Sequence, residues 1–331
     1  MAFPTADRHS RRDMLRRAGG TALASTILGG TGWRSAQPAR ADDLTVVDSR
    51  TDDPRLKYYR FATSAIGWDP GVNVLVPADY ETSGRRYPVL YLLHGGGTDA
   101  DFRQWDGRMG IDIRSETSDL PLIVVMPDGG HAGWYSDPTG SAVGPRNWET
   151  FHIKQLLPWI DAHFRTVADA SGRGVAGYSM GGFGALKYVA RHPGEFASVS
   201  AHSGPASLRS QNGTMVHWAN LSSAAVELGG ATVYGVPWNE SLVTADNPIE
   251  QLDAYRGKRV FLAAGTADAG VPLSDVIQES HVLVSQREFS EAMRAAGVAY
   301  HRREHPGGHL VDLGLFRDDL ADLADFLDKA G

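Results

Sequence analysis

The chain has 331 residues, a formal charge of −7 and no cysteine. That length suits an enzyme-sized globular body, and the acidic balance argues against a nucleic-acid partner, which needs a basic footprint. The missing cysteines exclude disulfides, thiolate nucleophiles and cysteine metal sites outright.

At the amino end, Ser10-Arg11-Arg12-Asp13-Met14-Leu15-Arg16 precedes a run of small and apolar residues over 18–32, and Ala39-Arg40-Ala41 supplies a small-x-small cleavage pattern. Paired arginines before a weakly apolar segment predict a twin-arginine-type signal peptide over residues 1–41, hence a secreted or cell-envelope protein. The apolar run is too short and Gly-rich to span a membrane. Cleavage after Ala41 removes seven arginines and two aspartates and takes the formal charge to −12. Residues 42–331 then read as a single domain.

Residues 42–57 are polar and read as an irregular lead-in. Residues 59–66 and 72–76 read as β segments around the turn Trp68-Asp69-Pro70-Gly71, which predicts an antiparallel hairpin. Residues 88–93 and 122–126 are continuous apolar runs, as expected of strands covered on both faces of a parallel sheet. Helical patterns follow at 151–164 and 183–191, the second stopped by His192-Pro193-Gly194. Further strands are expected at 197–201, 259–264 and 298–304. A last helix over 315–329 carries apolar residues at 315, 316, 320, 323, 326 and 327, so one face packs on the sheet.

Strands alternating with helices predict an α/β fold with a mostly parallel central sheet and helices on both faces. The stretch from about 205 to 250 breaks that rhythm and reads as an insertion of short helices and loops over the carboxyl edge, where such segments wall a pocket. Within it Met215, Trp218, Tyr234 and Trp238 either line an acyl or aromatic pocket or form a small satellite core.

The chemistry centres on Gly177-Tyr178-Ser179-Met180-Gly181. An apolar run leads in and a helical run leads out, so Ser179 falls on a strand-to-helix turn, the sequence form of a nucleophile elbow. Small residues at 177 and 181 let strand and helix approach closely. A serine nucleophile needs a base and a group that orients the base. His309 follows Pro306-Gly307-Gly308 after the last strand and is placed to be that base. Asp268, in the loop after the strand at 259–264, is the expected acid, and Asp275 or Glu279 in the same long connection fits the same role. The NH of Met180 and the NH of Gly96, in His94-Gly95-Gly96-Gly97, are the expected oxyanion donors, with Gly95 as an alternative. No Gly-Lys-Ser/Thr follows that glycine run, so it is no P-loop. His301, His305 and His309 recur at helical ligand spacing, but Pro306-Gly307-Gly308 interrupts a helix there, and no metal site is expected.

Several motifs recur in an order that resembles the esterase D-like α/β hydrolases, especially the branch containing the antigen 85 mycolyltransferases. They are Tyr91-Leu92-Leu93-His94-Gly95, Trp105-Asp106, Val125-Met126-Pro127-Asp128-Gly129-Gly130, Tyr135-Ser136-Asp137, Trp148-Glu149-Thr150-Phe151, the Ser179 motif and Gly307-Gly308-His309. The resemblance implies an α/β-hydrolase fold, a nucleophile at Ser179, a base at His309, an acid near Asp268 and no cofactor. In that branch the acid is a glutamate slightly later in the loop. Its acidic residue and arginine that contact a sugar acceptor correspond here to His94 and Gly97, so trehalose recognition does not carry over.

The expected protein is a secreted serine esterase that hydrolyses a small-molecule or lipid or sugar ester through an acyl-enzyme. The alternatives are an acyltransferase to a sugar or glycerolipid alcohol, and a catalytically silent binding protein on the same fold.

Overall fold

The two continuous apolar runs of the sequence form the middle of a sheet with nine strands among the described residues. The computed structural model describes residues 44–330 apart from 52, 268 and 269. The expected signal segment, 1–41, lies outside them.

In chain order the elements are β1 (Thr45–Thr51), β2 (Leu56–Ala62), β3 (Gly71–Leu75), β4 (Val89–Leu93), the short helix α1 (Ile113–Glu116) and β5 (Ile123–Pro127). A π-helical stretch, Thr150–Leu156, runs into α2 (Leu157–His163), followed by β6 (Arg173–Tyr178), α3 (Met180–Arg191) and β7 (Ser198–His202). Next come α4 (Ser210–Val226), α5 (Glu240–Asp246), β8 (Arg259–Gly265), α6 (Leu273–Ala295), β9 (His301–His305) and α7 (Leu313–Ala330). The strand order is β1-β2-β3-β5-β4-β6-β7-β8-β9. Strands β1, β2, β3 and β5 pair antiparallel in succession. From β5 through β4, β6, β7 and β8 to β9 every pairing is parallel.

The period-2 geometry of a strand explains why the central runs are apolar at every position. In β4, Val89, Tyr91 and Leu93 join the core on one face, with Phe183, Leu186 and Val189 of α3 and Phe289 and Met293 of α6. Leu90 and Leu92 join the other, with Phe316, Leu320, Leu323 and Leu327 of α7. Burying each such side chain stabilises the fold by about 1.5–3 kcal/mol, so α7 is fixed by one stripe, as its sequence pattern predicts.

Two expectations need correction. Part of the supposed lead-in over 42–57 is strand: β1 pairs with β2 from Thr45↔Ala62 to Thr51↔Lys57. Every residue of β1 is exposed, so it carries no apolar alternation from which a strand can be read. The long connection after β8 contains a helix of 23 residues, α6. Its buried face includes Glu279, Ser285, Gln286 and Ser290, and these polar residues dilute the apolar period by which a helix is recognised.

Candidate active site

Strand β6 delivers Ser179 to the carboxyl edge of the sheet, where the backbone turns directly into α3. Ser179 has φ 54° and ψ −119°, a conformation that L-residues adopt only under constraint. The constraints are visible. Ser179 NH donates to His202 O at 2.9 Å, and Phe183 NH to Ser179 O at 3.1 Å. A Cβ on Gly177 would lie 2.3 Å from Gly181 O, and one on Gly181 would lie 2.4 Å from Leu93 O. Only glycine at both positions lets β6, α3 and the end of β4 meet this closely.

Helix α3 is anchored by a buried charge network. Lys187, with no exposed surface, donates to Tyr135 O at 2.8 Å and Ser136 Oγ at 2.9 Å. It also pairs with Glu149 at 2.8 Å and Asp246 at 3.3 Å. Burial alone would lower the Lys187 ammonium, but Asp246 and Glu149 reverse this and hold it above the ordinary lysine range. Removing one partner would leave an uncompensated buried charge, so the network locks the elbow helix to the loop over 134–137 and to α5.

His309 sits on the loop between β9 and α7. Its Nε2 lies 2.8 Å from Ser179 Oγ and its Nδ1 2.6 Å from Glu279 Oε2. A carboxylate on Nδ1 fixes the tautomer, leaving Nε2 free to accept the serine proton. Glu279, fully buried on α6, is held in turn: Oε1 accepts from Gly265 NH at 2.6 Å and from Ser203 Oγ at 3.0 Å. Tyr178 Oη donates to His309 O at 2.8 Å. Burial pushes the Tyr178 phenol well above its ordinary range, so it stays a donor.

The glycine run after β4 faces the elbow. Gly95 NH donates to Gln104 Oε1 at 2.6 Å and is thereby occupied. Gly97 NH donates to His131 O at 2.8 Å. Among the described residues neither Gly96 NH nor Met180 NH meets an acceptor, and a Cβ on Gly96 would lie 3.5 Å from Met180 Sδ. Met180 opens α3, where the first NH groups have no partner within the helix. His94 is fully buried. Its Nδ1 donates to Gly95 O at 2.7 Å and its Nε2 accepts from Gly129 NH at 2.8 Å, so both ring nitrogens are spent on shaping this turn.

A cavity of about 310 Å³ opens above Ser179. Its mostly apolar wall includes Ala132, Trp134, Met180, Pro205, Met215, Trp218, Val226 and Val282, and its polar lining includes Thr98, Gln278 and His281. Trp134 NH lies 3.3 Å from Met180 Sδ, and Trp134 Nε1 donates to Ser222 Oγ of α4 at 2.9 Å. Of the insertion residues singled out in the sequence, Met215 and Trp218 line the cavity. Tyr234 is buried and Trp238 packs against the main core, so they serve packing.

A model of the Esterase family matches residues 63–326. The chain belongs to the Esterase family. Among curated proteins, this family member is 62% identical over 278 residues to Esterase Rv1288 of Mycobacterium tuberculosis; the match covers 84% of this chain and spans 60% of that protein's length. It is 29% identical over 236 residues to the diacylglycerol acyltransferase/mycolyltransferase Ag85B of Mycobacterium leprae, covering 67% of this chain and 69% of that protein. Among solved structures, an S-formylglutathione hydrolase from Agrobacterium tumefaciens superposes with a TM-score of 0.62 at 20% identity, covering 86% of this chain and 99% of that one. The fold is that of an α/β hydrolase.

The structure thus brings Ser179, His309, Met180 and Gly96 of this esterase-family chain to one point. Asp268 lies outside the described residues, and the carboxylate on His309 Nδ1 is that of Glu279. His301 and His305 belong to a strand, so the four-residue histidine spacing does not line one face of a helix. Sequence reasoning missed Ser203 and Tyr178 as supports. Tyr178 was within the elbow motif, but only the tertiary fold shows where its hydroxyl ends.

Proposed function

We propose that this chain is a serine esterase that cleaves carboxylic esters through an acyl-enzyme on Ser179. The observation that supports this most strongly is the unbroken chain Ser179 Oγ, His309 Nε2, His309 Nδ1, Glu279 Oε2, with links of 2.8 and 2.6 Å, at the floor of an apolar cavity. Oγ attacks the ester carbonyl carbon while its proton passes to His309 Nε2. Glu279 stabilises the imidazolium, and the NH groups of Gly96 and Met180 receive the oxyanion. Collapse of the tetrahedral species breaks the carbon–oxygen bond to the alcohol, which leaves with the proton from His309. Water then repeats the sequence and releases the acid. No cofactor enters any step.

Ser179→Ala is expected to lower kcat on p-nitrophenyl esters to the residual level that binding and the oxyanion hole provide, about a thousand- to ten-thousandfold above water. Intact-mass analysis is expected to trap an acylated species only with Ser179 present. A Ser179→Ala variant as active as the parent overturns the reading. A parent enzyme that a fluorophosphonate fails to label on Ser179 would favour the silent binding protein.

Transfer of the acyl group to an alcohol is the second reading, favoured by the likeness to the Ag85B acyltransferase/mycolyltransferase. It shares every step up to the acyl-enzyme and differs in the acceptor. His94 is buried with both ring nitrogens occupied and Gly97 has no side chain, which argues against a sugar site at those positions. If free acid remains the only product at saturating acceptor, transfer is untenable. Export rests on the arginine pair and cleavage pattern of residues 1–41 and is part of the same proposal.

A further inference from the structure

The end of α4 reaches across to the loop that carries the oxyanion donor. Glu227 closes α4, and its side chain is 1% exposed. Its Oε2 accepts from His131 NH at 2.9 Å and, at 3.5 Å, from Ala132 NH. Its Oε1 accepts from Trp148 Nε1 at 3.1 Å, with Arg146 Nε 3.6 Å away. This carboxylate therefore faces four donors from two other segments of the chain. It also sets the residue at 130: Gly130 has φ +72°, and a Cβ there would lie 2.5 Å from Glu227 Oε1.

The residue that Glu227 holds is the one that holds the glycine run. His131 accepts from Gly97 NH at 2.8 Å through its carbonyl, and its Nδ1 meets Gly97 O at 3.1 Å. Both polar groups of Gly97 are thus fixed by His131, and the Gly97 NH plane adjoins Gly96. A Cβ on Gly96 would lie 3.3 Å from His131 O, so the Gly96 peptide rests directly on the same carbonyl. Val226, one residue before Glu227, lines the cavity.

We propose that Glu227 is a positioning residue for the oxyanion hole: it fixes His131, which fixes Gly97 and so the direction of the Gly96 NH, and it makes the cavity wall of α4 and the oxyanion loop a single unit. The proposal rests on the acyl-enzyme reading above. An oxyanion donor acts only when aimed at the place where charge develops, and a shift of about 1 Å in a supporting group costs up to about a hundredfold in rate. Glu227→Gln keeps the volume but turns an amide NH2 toward either His131 NH or the Trp148 and Arg146 donors, so one side of the clamp meets a donor with a donor. Glu227→Ala removes the clamp altogether.

The test measures kcat and KM per fluorophosphonate-titrated Ser179 for E227Q and E227A on a short p-nitrophenyl ester, together with the Ki of a trifluoromethyl ketone that forms a tetrahedral adduct on Ser179. Titration counts only folded, nucleophile-competent enzyme, and the isosteric E227Q carries the test where E227A is too little folded to titrate. The expected result is a fall in kcat of about ten- to a hundredfold, a matching loss of ketone affinity and a KM within about twofold of the parent. An unchanged kcat in E227Q overturns the proposal. So does a loss of kcat without loss of ketone affinity, because that pattern belongs to general disorder of the base. S179A runs alongside: an active S179A sinks the acyl-enzyme reading, whereas a dead S179A with an unimpaired E227Q sinks only the role of Glu227.

Discussion

The elbow at Ser179 and the carboxylate at Glu279 stand at two ends of one hydrogen-bonded chain, yet they are encoded in different ways. Ser179 is specified locally: five consecutive residues supply the strained turn, and the glycines at 177 and 181 are required by backbone atoms 2.3 and 2.4 Å away. Glu279 is specified by tertiary structure alone. It projects from a long helix, 100 residues further along the chain, and its position depends on Gly265 NH and Ser203 Oγ holding its second oxygen. A nucleophile needs an unusual backbone, which leaves a mark in the sequence. An acid needs only a carboxylate that reaches the imidazole, and many local structures achieve that.

Removing the group between the two ends puts both at stake at once. His309→Ala is expected to lower kcat by about a millionfold, as loss of a base does in enzymes whose triad acts as a unit; stopped assays with purified protein measure it. A variant that keeps even a tenth of the parent rate would detach both ends from the chemistry.

A smaller effect is expected where the base is only steadied. Tyr178→Phe removes the bond to His309 O, worth about 0.5–1.5 kcal/mol, so kcat is expected to fall by about two- to tenfold with the nucleophile still fully labelled by a fluorophosphonate. An unchanged kcat would show that the loop holds His309 without it.

The smallest effect on turnover, with a clear one on stability, concerns His152. This buried histidine meets Tyr188 Oη at 2.6 Å and Asp128 O at 2.7 Å, and so supports the loop that shapes the cavity wall. Burial pushes its imidazole down to about 3 from 6.5, against the raising effect of the Asp128 carbonyl. The folded state therefore keeps His152 neutral where the unfolded chain takes up a proton. The stability it contributes is complete above pH 6.5 and is lost as pH falls toward 3, on the order of a few kcal/mol. Urea unfolding across that range is expected to show a shallower acid loss for His152→Gln, whose amide can keep both bonds. Identical pH profiles would contradict this assignment.

Much of the fold is legible in the sequence because the central strands are covered on both faces and the last helix on one stripe. Such patterns arise directly from burial. The edge strand β1 is not legible, since every one of its residues is exposed and no buried alternation marks it. Nor is α6, whose buried face carries Glu279, Ser285, Gln286 and Ser290. The same polar face that hides the helix from a periodicity search is what brings the Glu279 carboxylate to His309 Nδ1. In the site, Ser179, His309, Met180 and Gly96 could be ordered along the chain by motif and by strand order. Glu227 could not, because its role consists of reaching the backbone of residues nearly a hundred positions away.

We expect Glu279 to orient His309, a claim that kcat/KM for E279Q and D268N, measured side by side on one p-nitrophenyl ester, decides. A fall of about ten-thousandfold is expected for E279Q, the magnitude seen when a triad acid is lost, and a value for D268N within about fivefold of the parent. A D268N enzyme that collapses while E279Q retains most of its activity would contradict the claim and return the role to the loop after β8.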